Sequence, residues 1–162
     1  MSRSQFSYTR DQLIALSRIV IEHAAKQGAT AADTEISEGV GQNVSVRQGE
    51  IETIEYNKDK GAGVTVYIGQ RRGHASTSDL SEAALKSAVE KALTIARYTA
   101  EDDCAGLPDA DRLAKDVPDL DLYHPWVLSV EEAAERANAC EAAALAVDKR
   151  LTNSEGAGLS LH

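Results

Sequence analysis

The chain has 162 residues, 43% of them hydrophobic, 27% charged and only 4% aromatic, with a formal net charge of −9. That length suffices for one domain with a buried core. The acidic balance speaks against direct nucleic-acid contact, which draws on clustered Lys and Arg, and no apolar stretch approaches the roughly 20 residues that span a bilayer.

In chain order, Thr9 and Gln12 form a capping box, the Thr hydroxyl and Gln amide each satisfying a backbone donor at a helix start. Leu13, Leu16, Val20 and Ala24 follow at helical spacing, and Gly28 is a stop, which predicts a helix over 9–28. From Asp33 the period changes to two, and antiparallel strands are expected over 33–77. Gly39 and Gly41 flank a turn or bulge; Gln48-Gly49, Asn57–Gly61 and Gln70–Gly73 read as turns. Three tight bends between Gly39 and Gly73 are therefore expected. Ile51 and Ile54 stand three apart, so either a bulge lies near Glu52-Thr53 or Ile51 belongs to the turn.

Asp79 with Glu82, or Ser81 alone, caps a second helix over 80–99, whose stripe is Leu85, Ala88, Ala92 and Ile95. Residues 100–128 form an acidic loop holding all three prolines, Pro108, Pro118 and Pro125. Its end, "LDLYHPW", is apolar enough for Tyr123 and Trp126 to tie it down against the core or a partner. Ser129 and Glu132 make another capping box for a helix over 129–148, and 150–162 reads as a truncated strand. Together these elements predict a single N-terminal α+β domain of a longer protein. It has two layers, three main helices packed on a mainly antiparallel meander sheet.

The residues offer little chemistry. His23, His74, His124 and His162 are scattered, and Glu22-His23 lacks the second histidine one turn away that would converge on zinc. "GAGVTVYIGQ" lacks the spacing of a dinucleotide cradle and leads into a strand, not a helix N-terminus. No serine sits in a nucleophile elbow. The acidic run Glu101-Asp102-Asp103 lacks calcium-loop spacing. Cys104 and Cys140 are read as reduced thiols, and no N-terminal run resembles a signal peptide, so a cytoplasmic location is expected. No catalytic residue and no metal ligand is assigned.

The stretch "VRQGEIETIEYNKDKGAGVTVYIGQRRGHASTSDLS" resembles the N-terminal region of the PmbA/TldD family, also called modulators of DNA gyrase. "ALTIARYTAEDDCAGLPDA", "DLDLYHPW" and "NSEGAG" agree in order, and "YNKDKG", "IARYT" and "LDLYHPW" are similar to the PmbA (TldE) branch. The resemblance implies a cytoplasmic protein about three times this length. It also implies a link to a zinc metallopeptidase acting on peptides and unfolded segments. The family's zinc motif lies in the TldD partner, so zinc is implied in that catalytic subunit and no cofactor in this domain. The implied partners are a TldD-like subunit, in a heterodimer or homo-oligomer, and extended or unfolded peptides, with no nucleic acid or membrane. Sheets take extended peptides through backbone groups, so the Arg47–Thr77 region is expected to line a peptide channel or subunit contact through Glu52, Asn57, Lys58 and His74, with Trp126 a further surface candidate. The rival expectations are a pure interaction module and a regulator of gyrase without a peptidase role.

Overall fold

The computed structural model describes residues 6–162. The elements are α1 (Arg10–Lys26), β1 (Ala31–Arg47), β2 (Glu50–Ile68), β3 (Arg71–Thr77), α2 (Glu82–Tyr98), α3 (Val130–Leu145) and β4 (Ala157–Leu161). The strands form one open sheet in the order β3-β2-β1-β4, with β2–β3 and β1–β4 antiparallel. Among the described residues this is an α+β fold with three helices and an antiparallel sheet. The chain divides into two compact units, one of residues up to 38 with 59–117, the other of 39–58 with 118–162.

The first unit rests on aliphatic burial. Ala62, Val64 and Val66 occupy alternate positions of β2, so they point to one face. Val20 and Ala24 from α1 and Leu85, Ala88, Val89, Ala92, Leu93 and Ala96 from α2 pack with them. The Thr9–Gln12 capping box forms in full, with the Gln12 N–H donating to Thr9 Oγ1 at 3.2 Å and the Thr9 N–H to Gln12 Oε1 at 2.8 Å. Ser81 is the N-cap of α2, and Asp79 supports it by accepting the Ser81 N–H at 2.9 Å. Helix α2 lies so close to β3 that a Cβ on Gly73 would stand 2.0 Å from the Ala92 carbonyl oxygen. Thr30 fixes the β2–β3 turn, donating its hydroxyl to the Tyr67 carbonyl at 3.0 Å and accepting the Gly69 N–H at 3.0 Å.

The second unit rests on small residues. Val44 and Val46 of β1 meet Ala133, Ala134 and Ala137 of α3, flanked by Val130, Ala157 and Leu159. Strand β4 runs antiparallel to β1 from Gln42↔Leu161 to Val46↔Ala157. Gly156, at φ +100°, brings the chain onto β1, where a Cβ would stand 2.3 Å from the Val46 carbonyl oxygen. The Ser129–Glu132 capping box starts α3.

Two features depart from expectation. β1 and β2 each run unbroken, through Gly39–Gly41 and through Asn57–Gly61, so two bends replace the three expected between Gly39 and Gly73. None of residues 57–61 adopts a positive φ; the bends come at Gln48-Gly49 and at Gly69-Gln70, where φ is +53° and +82°, then +60° at Gly69. Asn, Asp and Gly permit a turn, but a backbone hydrogen-bonded into a long ribbon stays extended. Ile51 and Ile54 are 44% and 48% exposed, so neither faces a core. The "LDLYHPW" segment is also exposed; Trp126 lies against the guanidinium of Arg136, 5.1 Å from its ring centroid, instead of entering the alanine-lined core. The expected stripe residue Ile95 faces solvent as well.

Candidate functional site

The β2–β3 hairpin of the first unit carries an open groove of about 730 Å³, lined by Glu35, Lys60, Gly61, Gly63, His74 and Ser76 with neighbouring small residues. The register explains its floor. Gly63 pairs with Ser76 and Thr65 with His74, and opposed residues of an antiparallel pair project to the same face. Small side chains at Gly61, Gly63 and Ser76 leave room above the sheet, while Glu35, Lys60 and His74 bring charge and hydrogen-bonding capacity. A Cβ on Gly63 would stand 3.4 Å from His74 Cε1, so the glycine gives the imidazole its room.

His74 Nδ1 lies 3.2 Å from Thr65 Oγ1, and the imidazole tautomer decides which atom donates. Thr65 is buried beneath the histidine. Its hydroxyl therefore orients the ring and does not face a ligand, which leaves the opposite ring edge of the exposed His74 for contact. The arrangement suits hydrogen bonding to a polar, extended ligand. Among the described residues, no three His, Cys, Asp or Glu side chains come together as a metal site.

Of the residues singled out by sequence, His74 lies at this groove. Glu52, Asn57 and Lys58 lie on the exposed first half of β2, in the second unit, as does Trp126. Glu35 and Lys60 escaped the sequence reading. Their signal was alternation across β1 and β2, obscured by the turn placed at Asn57–Gly61.

Sequence reasoning also missed a carboxylate. Glu141 is 4% exposed and accepts the N–H groups of Gln48 at 3.0 Å and Gly49 at 3.2 Å. Gln48 N–H donation is the chief reason its carboxyl is held below the ordinary glutamate range, with Ser154, Gly49 and Arg47 adding to it against the opposing effect of burial. Asn138 Nδ2 donates to the Gly49 carbonyl at 3.4 Å, so α3 grips the hairpin tip from two positions.

The fold and groove define an α+β module built on a long antiparallel ribbon. A family model described as PmbA/TldA metallopeptidase domain 1 matches residues 32–96. The chain is 49% identical over 142 residues to the metalloprotease PmbA homolog of Haemophilus influenzae, covering 88% of this chain and 31% of that protein. It is 49% identical over 131 residues to metalloprotease PmbA of Escherichia coli O157:H7, covering 81% and 29%. Over this span the chain belongs to the PmbA/TldD family. A solved structure of a candidate modulator of DNA gyrase from Bacteroides thetaiotaomicron matches with a TM-score of 0.75 and 26% identity, over 88% of this chain and 32% of that one. TldE from Thermococcus kodakarensis matches at a TM-score of 0.63 and 18% identity, over 83% and 30%, a likeness of fold. The chain spans about a third of the length of the curated relatives it matches. Among the described residues no helix is long and apolar enough to cross a membrane.

Proposed function

We propose that this chain is the N-terminal part of a PmbA-type subunit of a cytoplasmic metallopeptidase. In this reading it does not cleave; it presents extended or unfolded peptides and takes part in assembly with a TldD-like catalytic subunit that holds zinc. The observation that carries the reading is the 49% identity to metalloprotease PmbA relatives across most of the chain. The groove gives it a physical basis. The strand backbone beneath it is taken up by the neighbouring strands, so it is the side chains of Lys60, Glu35, His74 and Ser76 that offer hydrogen bonds to the polar groups of an extended peptide laid over the small glycine floor.

Anisotropy of a labelled, unfolded peptide titrated with the chain tests this. Binding is expected, and the double substitution K60A/H74A is expected to weaken it roughly tenfold, the loss of one or two hydrogen bonds to charged or polar groups. Incubation of the chain alone with the peptide is expected to leave it intact. Metal-dependent cleavage by this chain would overturn the non-catalytic reading, and binding indifferent to Lys60 and His74 would remove the groove from it.

A further inference from the structure

We propose that the first half of β2 is a self-complementary edge that pairs antiparallel with the same segment of a second copy of this chain. The inference goes beyond the peptidase reading and does not require it. Strand β3 pairs with β2 from Ala62 to Ile68, and β2's other neighbour in the sheet is β1. Among the described residues, the outer edge of β2 before Ala62 therefore has no strand beside it. Every residue from Glu50 to Lys60 is exposed. An extended edge of this length presents a row of backbone donors and acceptors ready to pair.

The charge order selects the occupant. Taking alternate positions, which share a face in a regular strand, β2 reads Glu50, Glu52, Ile54, Tyr56, Lys58, Lys60. The order is acid, acid, apolar, apolar, base, base. Placed antiparallel to itself about Glu55, it sets Glu52 opposite Lys58 and Ile54 opposite Tyr56, and the ends of the segment, Glu50 and Lys60, continue the match. The two-fold axis repeats each pairing. Directly opposed oppositely charged and aromatic–aliphatic pairs stabilise such a ladder, whereas like charges oppose it. A parallel arrangement would set each charge against its own kind. Ile54 and Tyr56, 48% and 66% exposed, gain cover that this chain does not give them. On the alternate face, Thr53 meets Asn57, and two pairs do not match: Ile51 against Asp59 near the ends, and Glu55 against its copy on the axis.

Charge exchange tests the register. Sedimentation velocity of the 162-residue chain at low salt should show a monomer–dimer equilibrium that shifts to monomer at about 0.5 M salt, where the screening length is only a few ångströms. E52K and K58E should each weaken the dimer by roughly tenfold to a hundredfold, since each sets two like-charged pairs across the axis. The double variant E52K/K58E should restore dimers, and an equimolar mixture of the two single variants should form heterodimers. E55Q should tighten the dimer by relieving the axial repulsion. Restoration also shows that the exposed substitutions do not act by unfolding the chain. A chain that stays monomeric up to about 1 mM, or a dimer indifferent to both exchanges, overturns the proposal. So does a monomer that binds an extended peptide along Glu52–Lys58, because the edge then serves a different occupant.

Discussion

The two compact units solve the same problem, closing a helix onto a ribbon, with different materials. The first fills its interior with Leu85, Leu93, Val20, Val66 and Val89, all almost wholly buried. The second has Val44, Val46 and three alanines, and adds a carboxylate that grips two backbone amides. Apolar burial is indifferent to pH and scales with the area removed from water. A carboxylate latch is as strong as its charge. Stability in both units should thus respond to packing volume, and in the second to proton concentration at Glu141 as well.

The largest break should come in the first unit. Leu85→Ala is expected to cost about 2–5 kcal/mol, transfer plus cavity, read as a fall in urea midpoint by circular dichroism. Next comes Gly73→Ala. Its added methyl meets the Ala92 carbonyl carbon and oxygen and the Ala96 nitrogen, all backbone atoms of a packed helix. A loss of about 1–3 kcal/mol or more is expected from such overpacking. In the second unit Ala133→Leu should cost a comparable 1–3 kcal/mol or so, because a buried alanine leaves no space for three more carbons. The fluorescence of Trp126, the sole tryptophan and a member of that unit, follows this change.

A pH titration sharpens the contrast. Glu141 has a folded-state pKa below its ordinary value of 4.5, principally through the Gln48 N–H. The unfolded chain therefore binds its proton first as acid is added, and the latch contributes fully above about 4.5 and is lost as pH falls through the lower folded value. Glu141→Gln should lower the thermal midpoint at neutral pH and flatten the acid limb of the Trp126 signal, and an unchanged acid limb would refute the assignment. The smallest effect belongs to Lys86→Ala. Lys86 pairs with Glu82 on the exposed face of α2, and such i,i+4 pairs screen well in salt, so the midpoint should move within error.

What the sequence disclosed, and what it withheld, follows the range of each interaction. The capping boxes at Thr9–Gln12 and Ser129–Glu132 are local, three residues apart, and both stand where their spacing placed them. The Asn57–Gly61 bend failed because a local turn preference was overridden by pairing along a ribbon whose ends lie far away in sequence. Glu141 was hidden in a glutamate- and alanine-rich helix, where nothing local sets it apart from Glu131 or Glu135; its partners are more than ninety residues earlier. His74 stood out as a residue just past a bend and lies at the groove, while Glu35 and Lys60 join it there only through strand neighbours that no short window contains.

The bend at Gln48-Gly49 has a wider consequence. Both residues sit in the left-handed region, the twist that matches two right-handed strands, and everything from Ala31 to Ile68 is threaded through that one reversal. A residue added there must be absorbed by a longer loop or a bulge; otherwise it slips β2 by one position against β1, whose Val44 and Val46 are held by α3 and β4, and exchanges the two faces of β2.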